Sequence, residues 1–208
     1  MHLKRWITGI VALPILYLLV WVGGVVFYLL VAAASIITLW EYYRIVFATD
    51  GPFQERLMPI LGLVFAPAIV WAFYVGKMDA APLILSVDLI LAAGLSLPLF
   101  KDDPQAPALV AKQVLGLVYI PLFLSFLVLI RFSPDGVAWI FWPLLIVFAG
   151  DTGAFYTGSY LGRHKLCPWV SPKKTIEGSL GGLTANVVVA LIYKSLLLPD
   201  LATVPCIL

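Results

Sequence analysis

The chain has 208 residues, of which 62% are hydrophobic and only 12% charged, against about 25% charged in ordinary soluble domains. Its formal net charge of +2 is too small to argue for a nucleic-acid partner, and the hydrophobic fraction excludes a soluble domain. The composition is that of an integral membrane protein whose polar chemistry is confined to a few places.

Taken in chain order, a bilayer span needs about 20 apolar residues. By that rule segments 6–22, 25–47, 57–76, 80–99, 110–130, 137–160 and 177–198 are expected to be spans. The start has the basic-then-apolar look of a signal peptide. Its apolar stretch from Trp6 to Leu39 far exceeds a signal core of about 7–15 residues. Two retained spans joined by a tight turn at Gly23-Gly24 are therefore expected. The later breaks, "ATDGPFQER", "GKMDAAP", "KDDPQAP" and "RFSPDG", carry turn chemistry. The expected fold class is an all-α polytopic transmembrane helical bundle of about seven spans, a single domain over 1–208. The runs are too long and continuous for barrel strands.

Lys and Arg set orientation. With the N-terminus inside, the inner side receives Lys4, Arg5, Arg44, Arg56, Lys101, Lys112, Arg163, Lys165, Lys173 and Lys174. The outer side receives Lys77, Arg131 and Lys194. The expected N-terminus and the loop 161–176 are thus cytoplasmic. Cys167 and Cys206 then fall on opposite sides, so no disulfide between them is expected. His164 and Cys167 alone do not make a zinc site.

In the last break, "GRHKLCPWVSPKKTIEG", Ser171 suits a helix N-cap and Pro172 the first helical position. That would place Lys173 and Lys174 in the first turn, at the positive end of the macrodipole, where like charge costs about 0.3–1 kcal/mol. Such an arrangement makes sense if an anion docks there. A cytoplasmic positive anchor accounts for the same residues without a ligand. Just upstream, "FAGDTGAFYTGSYLG" puts Asp151 inside a span, at a cost of about 2.5–3.5 kcal/mol for a mid-span carboxylate. A metal or substrate role and a helix-packing hydrogen bond both remain open for it. Gly150, Ala154, Gly158 and Gly162 form a small-residue stripe, and Gly178 and Gly182 a GxxxG with Asn186 on the same face. Helix packing is the default for both.

Weaker signals are Asp102-Asp103, ordinary turn chemistry before a proline, and Glu41, Tyr42 and Arg44, interface anchors ending the second span. No serine-hydrolase elbow, HExxH, P-loop or CxxC pair is present. An intramembrane carboxylate beside a cationic loop suits a phosphorylated, lipid-linked substrate with Mg²⁺.

The string "DTGAFYTGSYLGRHKLCPWVSPKKTIEGSLGG" resembles the phosphatidate cytidylyltransferase (CDP-diglyceride synthase) family, as do "LKRWITG" and "WEYYRI" nearer the start. The resemblance covers essentially the whole chain; Ile176 departs from the tryptophan usual at that place. It implies a nucleotidyltransferase of phospholipid biosynthesis that moves CMP from CTP to phosphatidic acid, releasing pyrophosphate, in the bacterial inner membrane. By that resemblance Asp151 would hold Mg²⁺ or position the triphosphate. Lys173 and Lys174 would contact phosphates, helped by Ser171 and Arg163, with Thr175 and Glu177 in support. Alternatives are a CTP-dependent membrane lipid kinase and a non-catalytic anionic-lipid-binding or transport protein. A homodimer is left open. Family members continue with a Gly-Asp-Leu-x-Glu-Ser stretch and a Pro-Gly-His-Gly-Gly segment bearing further aspartates. Neither occurs here, so the 208 residues are expected to be a shortened member, without CDP-diacylglycerol synthesis of their own.

Overall fold

The structure, a computed structural model, describes residues 2–47, 53–101, 104 and 106–202. Asp102, Asp103 and Cys206 lie outside them. The described residues belong to two compact units, Met1–Ser133 and Pro134–Leu208.

The first unit contains helices α1 (His2–Val22), α2 (Gly24–Val46), α3 (Phe53–Tyr74), α4 (Ala80–Ser96), α5 (Ala106–Leu117) and α6 (Phe123–Phe132). The α1–α2 turn falls on Gly23 and Gly24, as expected, with φ of 67° and 53°; glycine takes such angles without a Cβ penalty. α5 and α6 are one apolar rod joined by a π-helical turn, Val118–Leu122. Pro121 lies in that turn. A proline ring clashes with the carbonyl four residues back and offers no N–H, and a wider turn relieves both. Arg131, at the end of α6, donates from Nε to Val20 O at 2.6 Å and from Nη2 to Trp21 O at 2.8 Å. It thereby satisfies carbonyls that the end of α1 leaves open.

The centre of this unit is apolar, with Leu39, Met58, Ile69, Val70 and Leu117 buried, yet a polar chain runs through it. Gln113 Nε2 donates to Asp88 Oδ1 at 3.1 Å, and Tyr43 Oη donates to Gln113 O at 3.0 Å. Asp88 and Gln113 are both 0% exposed. The group packs against Gly62, where a Cβ would collide with Tyr43 Oη and stand 2.7 Å from Gln113 Nε2. Gln113→Leu should destabilise the bundle by about 1–3 kcal/mol, because it strands a buried carboxyl. Adding Asp88→Leu should restore part of the loss, since removing both partners spares the orphan. Detergent-denaturation midpoints of the three variants check this; an unchanged midpoint for Gln113→Leu would contradict it.

The second unit holds α7 (Gly136–Tyr160), a two-stranded antiparallel ribbon of β1 (Lys165–Cys167) and β2 (Ser171–Thr175), and α8 (Ile176–Leu197). The two small-residue stripes pack on each other. A Cβ at Gly182 would stand 2.9 Å from Gly150 O, and one at Gly178 would stand 2.9 Å from Ala154 O. Larger side chains there would force the helices apart, as the small-residue rule for membrane helices requires. Tyr193 Oη donates to Ala138 O at 2.8 Å at the far end of the pair.

All seven expected apolar segments are helical. Among the described residues five helices are long and apolar enough to cross a bilayer: Gly24–Val46, Arg56–Tyr74, Ala106–Phe132, Gly136–Tyr160 and Ile176–Leu197. Val11–Val22 and Ala80–Ser96 are shorter apolar helices. Large apolar side chains such as Leu18, Leu29, Ile37, Val64 and Leu83 face outward. Those outward faces suit hydrocarbon rather than water. The chain is a polytopic helical membrane protein, with a small ribbon added to an otherwise helical fold.

Candidate functional site

The sequence places the site residues in the second unit, and their local structure corrects one expectation. Ser171 is not a helix N-cap, and Lys173 and Lys174 are not in a helical first turn: residues 171–175 are strand β2, and α8 starts at Ile176. Thr175 is the cap, its Oγ1 accepting from Gly178 N–H at 3.2 Å. The reason is visible in the residues. Pro172 biases Ser171 toward extended backbone, and starting the helix four residues later keeps two ammonium groups off the positive end of the dipole. Glu177, the acidic residue of the first turn, sits there instead, where the dipole favours it.

Glu177 also closes the base of the ribbon. Its Oε2 accepts from Arg163 N–H at 3.1 Å and from His164 N–H at 3.2 Å, and its Oε1 lies 2.6 Å from His164 Nδ1. Ile176 N–H donates to His164 O at 2.9 Å. This places Glu177 as a clamp between the start of α8 and the segment entering β1. Its carboxylate is occupied by these contacts.

β1 and β2 pair with Lys165 opposite Thr175 and Cys167 opposite Ser171, with a bulge between. Side chains alternate along a strand. That alternation is interrupted here: β1 advances two residues from Lys165 to Cys167 while β2 advances four from Ser171 to Thr175, so the bulge falls on Pro172, Lys173 and Lys174. Thr175 is buried, whereas Lys173, Lys174 and Arg163 are exposed. Among the described residues, His164–Glu177 is the one ion pair. The ribbon therefore presents its lysine charge at the surface.

Asp151 lies on α7, nine residues before Tyr160, or about 14 Å along the axis at about 1.5 Å per residue. It lines an open pocket of about 380 Å³ with Gly150, Ser179, Gly182 and Asn186. Asn186 Oδ1 is buried there with no hydrogen-bond partner, pressed on the bare face of Gly150. No hydrogen bond or ion pair joins Asp151 to Lys173 or Lys174 among the described residues. Nor do those residues contain a group of three or more His, Cys, Asp or Glu able to hold a metal. The pocket's donors are nonetheless oxygen atoms of the kind Mg²⁺ takes. Mg²⁺ is often bound through one or two carboxylates, with waters and substrate phosphates completing the shell. The residues fit a half-site of that type.

Two polar groups of the structure were not singled out as site candidates from sequence. Ser179 reaches the pocket because it is one turn into α8. Asp88 carried a plain signal, a lone carboxylate in the apolar run "LILSVDLILAAGL".

The sequence model of the Cytidylyltransferase family matches residues 3–207. The chain belongs to the cytidylyltransferase family. Among curated relatives, the phosphatidate cytidylyltransferase of Bacillus subtilis (strain 168) is 28% identical over 205 residues, covering 92% of this chain and 71% of the relative. That of Staphylococcus haemolyticus (strain JCSC1435) is 28% identical over 196 residues, covering 90% and 70%. That of Mycobacterium bovis (strain ATCC BAA-935 / AF2122/97) is 33% identical over 88 residues, covering 42% and 29%. Family membership agrees with the resemblance carried by the Asp151–Gly182 string.

Proposed function

We propose that this chain serves the transfer of CMP from CTP to phosphatidic acid, giving CDP-diacylglycerol and pyrophosphate. In that reaction a phosphate oxygen of phosphatidic acid forms a bond to the α-phosphorus of CTP. The bond from that phosphorus to the oxygen bridging the α- and β-phosphates breaks, and pyrophosphate leaves with the electron pair. Such a transfer asks for positioning and charge neutralisation more than for a protein nucleophile. The observation that carries the proposal is the ribbon itself, which presents exposed Lys173 and Lys174 directly before α8, in a member of the cytidylyltransferase family. Two adjacent exposed lysines can neutralise two phosphate groups at once, one from the nucleotide and one from the lipid.

Ser171, two residues before Lys173, has a hydroxyl that can donate to a phosphate, and Arg163 adds charge at the ribbon's base. Glu177 and Thr175 hold the ribbon to the start of α8 and act through it. Asp151, with Ser179 and Asn186 beside it, would hold Mg²⁺. When bound, Mg²⁺ supplies Lewis-acid neutralisation of the polyphosphate.

The proposed membrane is the bacterial inner membrane, with the N-terminus and the ribbon on the cytoplasmic side, where CTP is available. The Lys and Arg distribution supports this orientation. A cysteine placed beside Lys165 should react with a membrane-impermeant maleimide only from the cytoplasmic side, and one beside Lys77 only from the opposite side. The reverse pattern would overturn the orientation.

The chemistry is tested by reconstituting the chain in vesicles with phosphatidic acid and Mg²⁺ and supplying CTP labelled at either the α- or the γ-phosphorus. CTP binding is measured on the same vesicles, so the nucleotide site is read even where turnover is slow. In any preparation that turns over, entry of α-label rather than γ-label into lipid is the expected result. Entry of γ-label would make the chain a lipid kinase. Saturable phosphatidate binding with no CTP binding would make it a lipid-binding protein.

A further inference from the structure

The tip of the ribbon has no role in the chemistry above, yet it is the most exposed apolar feature among the described residues of the second unit. Trp169 is 96% exposed and Val170 84%. The tip is a defined turn, with Val170 N–H donating to Cys167 O at 3.2 Å. Pro168 takes the second place of that turn, where its fixed φ is favoured. The tryptophan is thus presented on ordered backbone rather than trailing from a loose loop. Leu166 adds apolar surface on β1, and Lys165, Lys173 and Lys174 flank it on the strands.

The two ends of this segment fix where it can be. It leaves α7 at Tyr160 and enters α8 at Ile176, and both are helices long and apolar enough to span a bilayer. From Thr175 to the tip is five residues of strand, about 17 Å at about 3.3 Å per residue. The headgroup layer on each side of the hydrocarbon is itself about 5–7 Å thick. A ribbon of that length, tied at both feet to the membrane boundary, reaches about 17 Å from it when upright and lays Trp169 at the headgroup layer when it tilts onto the leaflet.

We infer that the tip of the ribbon docks into the leaflet from which α7 and α8 emerge, with Trp169 and Val170 at the headgroup–acyl boundary and the flanking lysines among anionic headgroups. Tryptophan favours that depth because its ring is apolar with one polar N–H. Lysines beside it gain from the negative surface potential of anionic lipid. An apolar tip within a cationic ribbon is complementary to an anionic bilayer surface in both chemistry and layout. Docked this way, the ribbon would hold Lys173 and Lys174 at the level of lipid phosphates.

The native Cys167, which is exposed, gives a reporter one residue from the turn centre. In a Cys206→Ser background, Cys167 is labelled with an environment-sensitive fluorophore, and the chain is reconstituted in phosphatidylcholine vesicles with and without phosphatidylglycerol. The expected result is several-fold stronger quenching by a nitroxide placed high on the lipid acyl chain than by aqueous iodide. This quenching should increase with phosphatidylglycerol. The double substitution Trp169→Ser with Val170→Ser should shift the label toward iodide. Retained CTP binding by that variant would show that the fold survives. Quenching by iodide alone in the native sequence would overturn the inference, as would lipid quenching that the double substitution leaves unchanged. A label open to iodide in vesicles of the pure chain but shielded in native membranes would assign the tip to a protein partner instead.

Discussion

Asp151→Asn is expected to lower turnover of an active preparation at least about a hundredfold, the scale on which transition-state charge stabilisation is lost when one preorganised group is removed. The substitution keeps the shape of the side chain and deletes only its charge. It leaves α7 free to pack, because the helix contact is made by Gly150, Ala154 and Gly158 rather than by Asp151. The loss should be accompanied by a raised Mg²⁺ requirement, since the pocket would retain only neutral oxygens from Ser179, Asn186 and the new amide. Kinetics at several Mg²⁺ concentrations read both effects. Normal expression with unchanged turnover and unchanged Mg²⁺ dependence would remove Asp151 from the metal role and leave it as a polar residue of the helix pair.

The second large effect belongs to the ribbon lysines. Lys173→Ala and Lys174→Ala should each weaken use of CTP or phosphatidic acid by about 1.5–3 kcal/mol, the worth of a hydrogen bond to a charged group. The strand geometry adds a consequence that a helical first turn would not have. The two side chains are exposed on a bulged strand rather than held in one helical turn, so they need not share a phosphate. Their effects should therefore be close to additive, as for sites without a common partner. One variant should raise the KM for CTP more, the other that for phosphatidic acid. Wild-type kinetics in both single variants, with only the membrane orientation altered, would reduce the lysines to topological anchors.

Much of this fold is legible in the sequence because membrane spans are written in unbroken apolar runs. The seven runs became helices with ends moved by a few residues. The turns at Gly23-Gly24 and around Asp135 fell where glycine and Ser-Pro-Asp-Gly chemistry put them. Asp135 itself takes a left-handed φ of 56°, which Asp tolerates better than most residues. The packing roles of Gly178 and Gly182 were equally plain. The site was less legible. Ser171-Pro172 and Thr175 offer competing helix starts, and single-residue preferences do not choose between them. The choice is made by pairing with residues 165–167 and by Glu177 reaching back to Arg163 and His164, both non-local. The cost of placing two lysines at a helix start was the clue that the later start would prevail. The Asp88–Gln113–Tyr43 chain was hidden for the same reason: its members are 25 and 70 residues apart.

That the ribbon holds the phosphates of CTP beside phosphatidic acid is tested by equilibrium binding of CTP to the chain in lipid nanodiscs containing phosphatidic acid and Mg²⁺, alongside the Lys173→Ala/Lys174→Ala double variant. Saturable, Mg²⁺-dependent binding that the double variant loses by at least about tenfold, the lower end for one hydrogen bond to a charged group, is the predicted result. Absence of CTP binding in the native chain, or equal binding in the double variant, would contradict it.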